Sequence, residues 1–318
     1  MITVWVVWVA LGLLAVAPAQ DEVRPLADYH QHLFSPAIAK RSPNLKPISA
    51  IDLVALLEAA GIQRAAVLSL GYQYGNPNRE PVENEYDQVK AENDWTSGEV
   101  ARYSGRLVGF CGVNPLRDYA LEEVRRCAGD PHLRAGLKMH FGNSDVDLLN
   151  PQHIKALQAV FRAANSHGMA IVVHLRSTIS KQRPYGAPQA RAFLTDVLPS
   201  APDVPVQIAH LAGAGGYDDP LVDAALGVFV EAIAARDPRM AKVWFDVSGV
   251  AGLGQWKTKT NVIAERIRDL GVGRVLYGSD GAGGGNPTPR EAWAAFLELP
   301  LTTDEVRTVA SNVAPYMR

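Results

Sequence analysis

Eight short apolar runs recur along the chain, most of them followed by a loop or an amphipathic stretch. They are Pro25–His32, Ala65–Leu70, Leu107–Val113, Gly136–Phe141, Ala170–Leu175, Val206–Leu211, Val243–Val247 and Arg274–Gly278. Short strands separated by helices do not pair as hairpins; they pair in parallel, with the helices packed outside. Eight such units predict an α/β chain closed into one (β/α)8 barrel, the TIM-barrel architecture, which takes roughly 250 residues. The 318 residues are enough, and 47% hydrophobic against 20% charged residues supply a core. No Pro/Ser-rich linker or composition shift divides the chain, so residues 20–318 read as a single domain.

The helices between the runs read as Ile51–Ala60, Glu92–Tyr103, Tyr119–Ala128, Pro151–Ser166 and Asn261–Leu270. Leu53, Val54, Leu56 and Leu57 give the first of these its apolar face. Gly61, Gly105, Gly168 and Gly271 follow helices and are expected as left-handed caps. Gly71–Ala91, after the second strand, is the longest irregular stretch. Arg176–Pro188, Ala212–Pro220, Gly249–Thr260 and Gly281–Pro289 also follow strands. In a barrel all of these gather at the C-terminal mouth, where the chemistry of this fold sits.

Met1–Ala19 carries no charged side chain, Val4–Val16 is apolar, and Ala17-Pro18-Ala19 precedes Asp21-Glu22. This predicts a signal peptide over residues 1–19, a secreted or periplasmic protein and a mature chain starting at Gln20. No Lys or Arg precedes the apolar run, which keeps an uncleaved anchor as the alternative. Once the segment is cleaved, no stable membrane span is expected. A net charge of −2 with interspersed signs leaves no footprint for nucleic acid or an anionic membrane. The expected partner is a small molecule, and a homo-oligomer stays open. Cys111 and Cys127 could meet across a strand–helix contact in an exported protein. The leading reading is two buried free thiols, since no spacing suggests a structural zinc.

Strand geometry sharpens the first run. Leu26, Asp28, His30 and His32 share one face, and Leu26 marks that face as inward. Two imidazoles at i and i+2, at a strand's C-terminal end, can share one divalent ion. His174 and His210 end two further runs, and Asp280 follows the last. Any one of these could merely cap a strand; together they point to one metal-assisted site. Lys138 shares parity with Gly136 and His140 and faces inward with them. The remaining histidines, His132, His153 and His167, fall in loops or helices. Arg176, two residues past His174, could clamp a substrate carboxylate bidentately. Tyr72, Tyr74, Arg183, Trp256, Lys257 and Lys259 lie in mouth loops. Trp244, Asp246 and Ser248 share a strand face, where Asp246 either orients a metal-site histidine or caps the strand. Gly281–Gly285 reads as a loop, because no Lys or helix start follows to make a phosphate cradle.

With His30-x-His32, Gly105–Pro115, Ala209–Gly213 and Tyr277–Asp280 in view, the chain resembles the amidohydrolase superfamily over almost all of its mature length. More narrowly, it resembles the amidohydrolase-related branch, which includes aminocarboxymuconate-semialdehyde decarboxylase, resorcylate decarboxylases and sugar or pyrone lactonases. The resemblance implies that His30, His32, His174 and Asp280 hold a divalent ion, zinc first among candidates. It also implies that His210 is the acid/base residue and that Asp280 takes a proton from water. Lys138 stands where binuclear members carry a carboxylated lysine. In that form it would join a second ion on His174 and His210; otherwise it would pair with Asp280 or bind a substrate carboxylate. One ion is the leading expectation, two the alternative. The implied activity is hydrolysis of a lactone, ester or amide, with Arg176 and Tyr72 on the substrate side. Non-oxidative decarboxylation is the rival, and a secreted barrel that binds without turnover is the third reading.

Overall fold

The structure is a computed structural model, and it describes residues 23–41, 45–176, 184–217, 220–251, 259–281 and 285–318. Residues 1–19, Gln20, Arg183, Trp256 and Lys257 lie outside the described residues. The eight expected strands are present: β1 Ala27–Gln31, β2 Arg64–Leu68, β3 Leu107–Gly112, β4 Gly136–His140, β5 Ala170–His174, β6 Val206–Ile208, β7 Val243–Asp246 and β8 Val275–Leu276. They run parallel in chain order. The Tyr29 N–H to Tyr277 carbonyl bond (2.9 Å) and the Asp280 N–H to His30 carbonyl bond (2.9 Å) join the last strand to the first. The described helices are α1 Pro36–Lys40, α2 Ala50–Ala60, α3 Glu85–Ala101, α4 Ala120–Ala128, α5 Pro151–Ser166, α6 Ala187–Ala192, α7 Pro220–Ala234, α8 Thr260–Leu270, α9 Pro289–Phe296 and α10 Thr303–Ser311. Among the described residues no helix is long and apolar enough to cross a membrane.

Strand alternation sorts the core into two layers. Outward residues such as Ala65, Val67, Leu137, Ile171 and Phe245 join the buried faces of the helices. Inward residues Ala66, Leu68, Phe110, Val172 and Leu276 fill the lower barrel together with Tyr29, Ala314 and Met317. The segment after α10 closes this lower end. The Tyr316 ring stands edge-on to Tyr29 and Phe110 at 5.9 and 5.1 Å, and the Ala314 N–H donates to the Tyr29 hydroxyl at 3.0 Å.

Four local expectations change. Leu26 is 40% exposed and does not mark the inner face. Ala27 and Tyr29 face inward below, Asp28 aligns with Ala65 and Gln31 with Val67, and the register shifts between Asp28 and Gln31. This bulge re-phases the strand, so His30 and His32 point inward although Leu26 and Asp28 do not. The sixth strand stops at Ile208 because His210, Leu211 and Ala212 take left-handed φ of 55°, 47° and 65°. Helix α3 begins at Glu85 rather than Glu92, with Glu85 and Asp87 in a first turn whose exposed N–H groups favour acidic side chains. Gly61, Gly168 and Gly271 have positive φ as expected; Gly105 does not, because α3 ends four residues before it.

The cysteines also depart from the leading reading. Cys111 points outward from β3, Cys127 points inward from α4, and the two are bonded, with Cα atoms 6.1 Å apart. A residue on the outer face of a strand and one on the covering helix meet side chain to side chain, which is the geometry a disulfide needs.

Candidate active site

Four histidines, Lys138 and Asp280 converge at the upper end of the barrel, and hydrogen bonds decide what three of the imidazoles offer. The Nδ1–H of His32 donates to the Leu68 carbonyl at 2.6 Å. That of His210 faces the Ser248 carbonyl at 2.6 Å, and that of His30 faces the Asp246 carboxylate at 3.1 Å. The Ser248 hydroxyl also lies 3.0 and 2.9 Å from the Nδ1 atoms of His30 and His210, but it donates to Asp246 and so accepts there. A nitrogen facing only acceptors carries the proton, so all three rings turn an Nε2 lone pair toward the barrel axis. Burial first, then the charge of Lys138, pushes the His30 imidazole down to about 3 and His32 well below its ordinary range. His174 is also held well below, by burial and then by His140 and His210. Neutral imidazoles that turn an Nε2 lone pair inward are ready metal ligands.

Lys138 and Asp280 complete the centre. The Lys138 Nζ lies 3.1 Å from His30 Nε2, and Asp280 Oδ1 lies 3.7 Å from His32 Nε2. Burial pushes the lysine amine down while Asp280 and Asp246 oppose it. Burial likewise pushes the Asp280 carboxyl up while Lys138 opposes it. His30 and His32, both buried, and the half-buried Asp280 have ligand atoms within 4.8 Å of one another. The Nε2 of His174 is buried and has no hydrogen-bond partner among the described residues. An orphaned buried nitrogen is costly unless something completes it. This donor set of imidazoles and one carboxylate fits a divalent ion. An ion on His30 Nε2 would contest the place of the Lys138 amine. Lys138 must then swing away, lose its charge or take up a carboxyl group.

Asp246 ties the site together. Its Oδ1 accepts from the His210 N–H at 2.9 Å and the Ser248 hydroxyl at 2.5 Å. Its Oδ2 accepts from the Gln207 amide at 2.5 Å as well as from His30. Although burial opposes it, the neighbouring His30 and His210 hold this carboxyl well below the usual range. One carboxylate thus orients the His30 ring and pins the backbone of His210 in its left-handed conformation. Asp246 therefore does more than cap the strand, since it orients the His30 ring. Asp28 does similar work outside the barrel wall, accepting from Ser279 and Gln31 at 2.6 and 2.7 Å. At Gly278 a Cβ would stand 3.0 Å from His30 Cβ and 3.1 Å from Ser248 Cβ, so any larger residue would crowd both side chains.

A cavity of about 310 Å³ opens above these groups, lined by His30, His32, Lys138, His174, His210 and Asp280 among others. Of the expected substrate-side residues, Tyr72 is buried and lines it. Arg176 is half-buried at the end of β5 and is not among the lining residues. Among the described residues, the guanidinium that lines the cavity is Arg79, from the loop after β2. Tyr74, Lys259 and Trp244 do not line it either. The lining also includes Gln73, His140, Asn143 and Asn286, which sequence reasoning did not select. For His140 a signal existed, its shared parity with Lys138. The loop residues carried none.

A sequence profile described as Amidohydrolase matches residues 27–312. Among solved structures, the 5-carboxyvanillate decarboxylase of Sphingomonas paucimobilis superposes with a TM-score of 0.61 at 15% identity, over 93% of this chain and 99% of that one. A probable 2-pyrone-4,6-dicarboxylic acid hydrolase of Acinetobacter baumannii, with citric acid bound, gives 0.56 at 16% identity, over 89% and 95%. A dihydroxybenzoic acid decarboxylase of Polaromonas, with manganese and 2-nitroresorcinol bound, gives 0.57 at 12%, over 90% and 94%. A search of curated proteins finds no significant match. At these identities the structures speak for the fold, and the profile, which spans most of the chain, speaks for the family. The chain belongs to the amidohydrolase family.

Proposed function

We propose that the protein is a metal-dependent hydrolase that opens a lactone, ester or amide bond in a small, carboxylate-bearing molecule. The observation that carries this is the convergence of three Nε2 lone pairs and Asp280 on one cavity that Lys138 and Arg79 also line. His30, His32, His174 and Asp280 would hold one ion, with zinc the first choice and manganese, bound in one of the similar structures, the second. Such an ion supplies Lewis-acid polarisation and lowers the pKa of water toward about 7. Asp280, placed beside the site of that ion, would take the proton of the attacking water. His210 is neutral, with its Nδ1–H fixed on a carbonyl, so its Nε2 can accept a proton and pass it to the leaving atom. Arg79 and Lys138 draw the substrate's carboxylate into the cavity.

Decarboxylation by the same residues is the second reading, supported by the decarboxylases among the similar structures. Zinc- or manganese-loaded protein assayed on lactones, esters, amides and hydroxybenzoates separates the two. Acid release without carbon dioxide supports the hydrolase, and carbon dioxide release the decarboxylase. Binding without turnover on every class would support the third reading, a ligand-binding barrel. We also propose export to a secreted or periplasmic location, supported by the Ala17-Pro18-Ala19 segment and by the disulfide, which suits an oxidising compartment. N-terminal sequencing that returned Met1 instead of Gln20 would count against cleavage.

A further inference from the structure

His140 breaks the pattern of the histidines around it. It sits opposite His174 in the β4–β5 register, and the two rings stack at 3.7 Å between centroids and 13° between planes. The Tyr72 ring lies 5.5 Å away. Its Nδ1 accepts the backbone N–H of Asn143 at 3.2 Å. A nitrogen that accepts cannot carry the proton, so the neutral ring carries it on Nε2. This is the reverse of His30, His32 and His210, whose Nδ1 atoms face acceptors. Those rings offer the cavity a lone pair suited to a cation. His140 offers an N–H suited to an oxygen, and it lines the same cavity.

We propose that His140 is a substrate-binding residue, not a metal ligand, and that its Nε2–H donates to a carbonyl or carboxylate oxygen of the substrate. The proposal rests on the reading of the substrate given above. The stack on His174 fixes the ring plane, so the donor is aimed before the substrate arrives and little rotamer entropy is lost on binding. Asn143, which holds the ring through its backbone, lines the cavity beside it.

The test combines three measurements on zinc-loaded protein. Long-range ¹H–¹⁵N spectra of histidine-labelled protein should give His140 the Nε2–H pattern and His30, His32 and His210 the Nδ1–H pattern. His140→Phe, which preserves ring stacking, should bind as much zinc as wild type. It should bind isophthalate, an inert planar dicarboxylate, about tenfold more weakly by calorimetry, the weight of one hydrogen bond. His140→Gln can accept from Asn143 and still present an N–H, and should stay within about threefold of wild type. An Nδ1–H tautomer at His140, zinc loss in His140→Phe, or unchanged isophthalate affinity in that variant would overturn the proposal. Failure of wild type to bind isophthalate would instead overturn the carboxylate-substrate reading, with the tautomer and zinc arms still deciding on His140.

Discussion

The lower and upper halves of the barrel interior are built from the same strands, yet opposite rules satisfy them. Below, Tyr29, Leu68, Phe110 and Met317 fill space with apolar and aromatic surface. Above, His30, Lys138, His210 and Asp246 fill it with polar groups, each of which needs a partner in a nearly dry setting. Lys138 aligns with Val172, and the two halves meet at that level. Gln207 links them, bonding Asp246 on one side and the Tyr316 hydroxyl of the lower plug on the other. The division teaches that the lower half supplies stability and the upper half spends it on preorganised chemistry. Mutations should therefore split cleanly by level.

The largest expected effect is in the upper half. His30→Ala should lower metal affinity and cut turnover by about 1000-fold or more, beyond the roughly 10–100-fold typical of losing a residue that only orients a ligand. Chelator competition and elemental analysis check the first part, and the folded state should survive. In the lower half, Phe110→Ala should cost about 3–5 kcal/mol of stability through transfer and cavity terms, read by denaturant unfolding, with metal per folded chain unchanged. If Phe110→Ala strips the metal, or if His30→Ala unfolds the protein, the division by level is wrong.

Two further changes probe the boundary. Breaking the disulfide with Cys111→Ser should cost about 3 kcal/mol, the cross-link value for a loop of about this length. It should leave metal content alone, because the bond lies in the outer layer. Asp246→Asn should weaken metal affinity about 10–100-fold through the orientation of His30. It should also lower stability, because the amide cannot satisfy every donor now held by the carboxylate. An Asp246→Asn variant with wild-type affinity would reduce Asp246 to a strand cap.

Much of this was legible in the sequence, for identifiable reasons. Alternation in β2 to β5 is regular, so their inner and outer faces could be read directly. The eight-fold strand count followed from that repetition. The histidines of the site were legible because they stand at the ends of strands. The route to His30 and His32 was not, since a bulge is invisible to a strict period of two, and the inward pair was reached from a marker, Leu26, that faces solvent. The end of β6 was hidden because three non-glycine residues adopt left-handed φ, a conformation that tertiary contacts impose against local preference. Of the cavity's two cations, Lys138 was legible from strand parity, whereas Arg79 was not, because a loop residue has no periodicity to betray its direction.

The two arginines offered by sequence and structure give the finest test, with the smallest effect. Arg176 follows β5 and is half-buried, whereas Arg79 comes from the loop after β2, is exposed and lines the cavity. A cation that meets the substrate's carboxylate only on binding contributes equally to ground and transition states, so its loss should raise KM and spare kcat. Arg79→Met should therefore raise KM by about threefold to tenfold, the range for a partly solvated charge-assisted contact. Because Arg79 is exposed, the gap from wild type should shrink as salt rises from about 0.05 to 0.5 M. Arg176→Met should move KM less and without that salt dependence. The reverse ranking would mean that the carboxylate is received at the end of β5, and that the spacing of Arg176 from His174 is the better guide to the substrate's orientation.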